Sequence, residues 1–460
     1  MSSIIRTNGR SRIAYSPRTT LAMRGLLGVA VLPALLACNP SNALNVPQPD
    51  NVQPGNLDAK AALPTLRAAA LSAFQIAYSG GADEANNGHE GQILGTGLFT
   101  DELQDEETFT SRIELDGRSA TPGNSTLNGL FLDLQQARAM ADRADAKYTR
   151  FSPAEPGHAL VLNLGGFAYT LFAENYCEGV PFSTLNDDAS ITYGQPLTRQ
   201  QMIARAVQHF DSALAIAQAA SDTLDVNLAD VGLARALLDS GDDADAAAAA
   251  AKVPGSFSFT IGASTNTAVE NNGIWNYTFN NLDFSVSDSE GTNGLPFFSA
   301  HDPRVPAVNT GGPGFSSGTN PFLQQQLYPT QVSPIPLATG TEAQLVVAEH
   351  ELRTGNSGAW LATLNALRAT IPGLAPLSDP GTQAVRISLH FHERAFWLYL
   401  TAHRLGDLRR LVRQYGRDQS TVFPVGIDIK GQPYGSDVTF PVSADEQNNP
   451  NFHGCLNRDA

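Results

Sequence analysis

Residues 390–410 read HFHERAFWLYLTAHRLGDLRR, and this stretch decides between two accounts of the chain. Three histidines and a glutamate within fourteen residues suggest a metal centre, whereas the apolar wall between them suggests a packed helix. Helical geometry favours the second. His390 and His392 stand two positions apart, which on a helix turns them about 200° away from each other. His403 lies a further eleven residues on, and H-E-x-x-H is absent. Glu393, Phe396, Trp397, Leu400 and Arg404 fall on one side of a continuous helix. The stretch therefore predicts a buried helix whose Glu393, Arg394, Arg404, Asp407 and Arg409 tie it to its neighbours by ion pairs.

Helical spacing recurs on both sides of it. Apolar residues repeat at helical intervals over 64–78, 125–148, 158–176 and 199–220, and 227–253 reads as two short helices around Ser240–Gly241. Residues 342–371 read as a helix, a Gly-Asn-Ser-Gly turn and a second helix. Helix upon helix, in hairpins without an exact 34-residue repeat, predicts a mainly α, tetratricopeptide-like scaffold with long irregular loops and a few short strands. Helices are expected over about 57–253 and 341–415. Between them, 254–340 is rich in Gly, Asn, Ser, Thr and Pro with scattered aromatics. A stretch that long without a period is usually functional, and GIWNYTF (273–279) is expected to form a short strand.

The first 37 residues carry five arginines and no acidic residue, then the apolar run GLLGVAVLPALLA (25–37), too short for a permanent membrane span. They read as an export signal. The junction LPALLAC is similar to a bacterial lipobox, with Cys38 as the lipidation site, and Pro- and Asn-rich residues to 56 read as a tether. Residues 57–460 then form one domain. Removing 1–37 leaves 24 basic against 45 acidic residues, net −21, which argues against nucleic acid as a partner. Of three cysteines, Cys177 and Cys455 remain for an oxidising compartment. A disulfide between them is the favoured reading and two buried free thiols the alternative.

The E-R then H-R-x-x-D-L-R-R pattern of Glu393, Arg394, His403, Arg404, Asp407, Leu408, Arg409 and Arg410 resembles the C-terminal signature of SusD/RagB-type nutrient-uptake lipoproteins. Four further segments resemble that family in chain order: AENYCEGVPFS (173–183), HDPR (301–304), the hairpin of 342–369, and FPVSADEQNNPNF (440–452) with Glu446, Asn449 and Pro450. The N-terminal half matches weakly, and the cysteine pair is not general to the family. The resemblance implies a non-enzymatic, lipid-anchored protein at the outer face of the outer membrane, without cofactor. It would capture glycan or peptide for a SusC-like TonB-dependent transporter.

By residue type, two segments suit a ligand. Residues 275–298 offer Trp275, Asn276, Tyr277, Asn280, Asn281, Asp283 and Asp288, the mixture of aromatic faces, amides and carboxylates that holds sugars; Trp275 and Tyr277 read equally as packing residues. The loop 79–110 carries Asp101, Glu102, Asp105, Glu106 and Glu107, which read as a solvated surface or as oxygen ligands for a divalent cation. G-x-S-x-G and the phosphate-binding loop motif are absent. A glycan-degrading enzyme needs two placed carboxylates, and Asp283 and Glu290 are nominated by nothing beyond their type. A protein-binding helical scaffold is the other rival.

Overall fold

The structure is a computed structural model that describes residues 57–82, 89–188, 190–315 and 321–460. The expected export signal, the lipidation site Cys38 and the tether lie outside the described residues.

Among the described residues, twelve helices of seven residues or more carry the domain: α1 Leu63–Ser79, α2 Gly91–Phe99, α3 Thr110–Asp116, α4 Ser125–Phe151, α5 Pro156–Asn175, α6 Arg199–Ala220, α7 Thr223–Ser240, α8 Asp243–Ala250, α9 Gly340–Arg353, α10 Ser357–Arg368, α11 Gln383–Trp397 and α12 Arg404–Tyr415. Their starts follow local chemistry. Asn124, Asp222, Asp242, Asn356 and Thr382 each accept a backbone N–H of the first turn, and Thr198 with Gln201 closes a capping box at α6. Gly241, with φ 96°, ends α7 and turns the chain directly into α8.

Successive helices from α5 to α10 pack side by side as the repeat pattern predicts. The α5–α6–α7 seam is the tightest. Phe210 of α6 lies in a slot between Gly166 of α5 and Gly232 of α7, where a Cβ would stand 2.6 and 2.2 Å from its ring. Only glycine fits at these two positions. The core extends across the chain's ends: Phe99 stacks edge-on against Phe440 at 5.1 Å, and Phe131 against Tyr176 at 5.5 Å. Cys177, at the end of α5, is joined by a disulfide to Cys455, 278 residues later. Among the described residues no helix is long and apolar enough to cross a membrane.

Three expectations need correction. The stretch 390–410 is two helices. Between α11 and α12 the chain breaks at 398–403, where Leu400 and Ala402 adopt φ of 53° and 59°. Buried groups hold this left-handed path: Leu400 N–H donates to the Glu102 carboxylate (3.0 Å), and the Tyr328 hydroxyl donates to Leu400 C=O (3.2 Å). The Tyr78 hydroxyl donates to Thr401 C=O (3.1 Å) and the Arg235 guanidinium to Ala402 C=O (3.1 Å). These partners satisfy the backbone groups that a helix would have paired internally. Second, GIWNYTF is helical rather than a strand: the Asn272 side chain caps Trp275 N–H (3.0 Å), and Gly273 packs against the backbone of Ser79. Third, 254–340 is less irregular than expected. Among its short strands are β3 Phe284–Val286, which pairs antiparallel with β1 Leu103–Asp105, and β4 Ile335–Thr339, which pairs with β2 Ser258–Ile261.

The ion pairs expected of 390–410 are present, with one exception. Arg394 forks onto Asp407 (2.8 and 2.9 Å), Arg410 joins Asp407 (2.8 Å) to Glu349 (3.0 Å), and Arg404 forks onto Asp101 (2.6 and 2.7 Å). Glu393 accepts from Arg304 of the HDPR turn and from Arg368, each at 2.7 Å. Arg409 instead donates to the carbonyls of Ala173 (3.0 Å) and Tyr176 (3.3 Å), closing the end of α5. Its burial without an acidic partner pushes it down to about 9.

Candidate ligand-binding cleft

The histidines of the signature stretch do not converge. His390 Nε2 faces Glu349 at 3.4 Å and His403 Nε2 faces Glu342 at 2.8 Å, so each has its own carboxylate. Burial lowers both, which favours the neutral ring. Among the described residues no group of three or more His, Cys, Asp or Glu is arranged to hold a metal ion.

The β1–β3 ladder does something the sequence did not announce: it places the two nominated segments against each other. Leu103 faces Val286 and Asp105 faces Phe284. Glu106 N–H continues the pairing to Asp283 C=O at 2.8 Å. Beside this ladder opens a cleft of about 400 Å³, within the range of small-ligand sites. Glu90 and Glu107 contribute from the first segment, Asn281 and Asp283 from the second. Ser111 and Arg112 come from the first turn of α3, and Ser125 and Thr126 from the first turn of α4. Phe109 and Phe315 flank it, 57% and 61% exposed. Phe315 is set by its N–H bond to Leu282 C=O (2.9 Å), and the preceding Gly314 passes so close to Glu106 that a Cβ would stand 2.6 Å from it.

Arg112 organises the floor. Its Nε donates to Glu90 Oε1 at 3.0 Å, Nη2 stands 3.0 Å from the same oxygen, Nη1 pairs with Glu107, and Asp283 Oδ2 stands 3.5 Å from Nη1. The guanidinium lies over the rings of Tyr277 (5.0 Å), Phe284 (5.2 Å) and Phe109 (5.6 Å). Although burial alone would lower it, Glu90 and Glu107 hold Arg112 above its ordinary value, so it stays charged. Burial raises Glu90, with Arg112 opposing. Both Arg112 nitrogens that face Glu90 meet the same oxygen. Its other oxygen, Oε2, is buried with no hydrogen-bond partner among the described residues. Such an orphan acceptor at a cavity wall is costly unless something donates to it.

Of the nominated residues, Asp283 and Asn281 line this cleft. Tyr277 is buried and stacks on Phe284 at 5.2 Å, forming the wall beneath Arg112. Asn276 is buried, Trp275 half-buried and Asn280 exposed, and none of the three lines the cleft. The acidic run 101–107 is not a solvated surface: Asp101, Glu102, Asp105, Glu106 and Glu107 are all buried. Asp101 is neutralised by Arg404, Asp105 by Lys430 and Glu107 by Arg112. Glu102, which accepts Leu400 N–H, is pushed up to about 8 by burial. Sequence reasoning missed Glu90, Phe109, Arg112 and Phe315. Two other hollows compete in size. One, of about 450 Å³ between α4 and the 184–192 hairpin, is lined by Arg138 and Lys147, which already bind Asp142 and Asp187. The other, of about 490 Å³, holds His158 bonded to Asp145 at 2.7 Å. Neither has an exposed aromatic ring in its lining.

No protein family's sequence profile matches this chain, and no curated protein is detectably similar in sequence. Solved structures are similar in shape. Surface glycan-binding protein A from Bacteroides uniformis superposes with a TM-score of 0.65 at 13% identity, covering 86% of this chain and 99% of its own. The chain has a SusD-like fold. Surface glycan-binding protein A from Bacteroides thetaiotaomicron gives 0.64 at 12% identity, and a SusD-like carbohydrate-binding protein from Bacteroides fragilis NCTC 9343 gives 0.63 at 15%, with the same coverage. The SusD-like fold is a tetratricopeptide-like helical one, and it places the signature residues of 390–410 in its core. The ladder beside the cleft joins Leu103–Asp105 to Phe284–Val286.

Proposed function

We propose that this protein is a non-catalytic, cell-surface binding protein of the SusD type that captures glycan. Lipidation at Cys38 would hold it to the outer membrane by burial of acyl chains. From there it would hand its ligand to a SusC-like TonB-dependent transporter. The observation that carries this reading is the cleft itself: two exposed aromatic rings beside a floor of carboxylates, amide and hydroxyls, a combination suited to the apolar faces and hydroxyl rims of sugars. The carbohydrate-binding relatives that share the fold support it. The clustering of ion pairs in the signature stretch also supports it, since those groups are occupied by one another rather than presented to a substrate.

The test combines binding and turnover. Purified protein is titrated with a panel of oligosaccharides, and the same mixtures are incubated and analysed for cleavage. Saturable binding with intact sugars supports the reading. Sustained product release indicates a glycan-degrading enzyme, and recovery of a large β-barrel on affinity purification from outer membranes supports the transporter partnership.

A further inference from the structure

We infer that the cleft selects an oligosaccharide bearing a primary ammonium group, with Glu90 as the residue that receives it; this rests on the glycan-binding reading above. The charge of the floor leads to this assignment. Glu90, Glu107 and Asp283 face one guanidinium, an excess of two negative charges in a partly desolvated space. Arg112 is engaged by all three and covered by aromatic rings, so it has no face to offer an anionic sugar. The first turn of α4 adds the positive end of a 27-residue helix. That end amounts to about half a unit charge, and Asn124 already caps it, so it does not reverse the balance. The orphan oxygen gives the excess charge a location. Glu90 is 3% exposed, and its Oε2 lacks a donor while Oε1 faces the Arg112 guanidinium. A hydroxyl would satisfy the hydrogen bond alone. An ammonium satisfies the bond and offsets part of the charge, and charge-assisted bonds of this kind are about twice as strong as neutral ones.

The experiment titrates the protein calorimetrically, at mildly acidic pH, with a glucosamine tetramer, its fully N-acetylated counterpart, a neutral glucan tetramer, a tetragalacturonate and a lysine-containing tetrapeptide. The expected result is that the glucosamine tetramer binds about tenfold or more tighter than its acetylated form, with the uronate weakest. Glu90→Gln keeps the acceptor for Arg112 and should bring the ratio of glucosamine to N-acetylated affinity close to one. Phe109→Ala should weaken both sugars together. Equal affinity for the two forms in the unaltered protein, or a ratio that survives Glu90→Gln, overturns the inference while leaving glycan binding intact. Binding of the lysyl peptide in place of every sugar, or of nothing, overturns the glycan reading as well.

Discussion

Replacing Asp407 by Asn tests whether 390–410 is architecture. Asp407 is buried and takes three charged bonds, two from Arg394 and one from Arg410, at 2.8 to 2.9 Å. Burial alone would raise its pKa, but the two guanidiniums hold it at about 2 against an ordinary 3.8. That difference corresponds to about 2.5 kcal/mol. Breaking a buried pair also leaves the partner charges exposed to each other, at a typical cost of about 3–5 kcal/mol. For a domain of about 400 residues, a loss of about 2.5–5 kcal/mol lowers the melting temperature by roughly 3–6 °C. Because its folded pKa lies below its unfolded one, this contribution is present above about pH 4 and is lost as pH falls towards 2. The deficit of Asp407→Asn should therefore be full at neutral pH and shrink over that acid window. Scanning calorimetry at a series of pH values measures it, and glycan titration well below the melting point should show unchanged affinity. A shift under about 1 °C at neutral pH, or loss of binding in the folded variant, would refute the structural role.

Phe109→Ala and Phe315→Ala should each weaken glycan binding by about fivefold, the equivalent of about 1 kcal/mol, without moving the melting temperature, since both rings are exposed. Glu102 is raised from 4.5 to about 8, so it costs the fold progressively more as pH rises between those values; Glu102→Gln keeps the acceptor for Leu400 and should melt higher than the unaltered protein at pH 9. The disulfide between Cys177 and Cys455 ties the C-terminal segment to the end of α5, and Cys455→Ser should cost about 2–4 kcal/mol in urea unfolding, while mass spectrometry without reductant should find no free thiol at Cys177 or Cys455 in the unaltered protein.

Much of the scaffold was legible because its signal is local. An apolar stripe at helical spacing, with a capping side chain at one end, is a property of twenty adjacent residues, and α4, α6 and the α9–α10 hairpin begin within two or three residues of where the pattern places them. The break at 398–403 was hidden because its causes, Glu102, Tyr328, Tyr78 and Arg235, lie 72 to 323 residues away or on other elements. The acidic run 101–107 looked solvated for the same reason: Lys430, which neutralises Asp105, stands 325 residues later. The cleft shows the limit most clearly. Both its acidic and its Asn/Asp-rich segments were visible as compositions, but a three-residue ladder joins them, and three residues carry no period. Phe109 and Phe315 sit in loops where a lone aromatic is indistinguishable from a packing residue until its exposure is known.

The Phe109–Arg112–Phe315 cleft is proposed to bind glycan without cleaving it. The most direct measurement is titration of one oligosaccharide that binds into the unaltered protein and into Phe109→Ala, with product analysis of both mixtures after prolonged incubation. Saturable binding, a several-fold weakening in the variant and intact sugar in both tubes are the expected results. Released fragments, or an affinity that the substitution leaves unchanged, would contradict it.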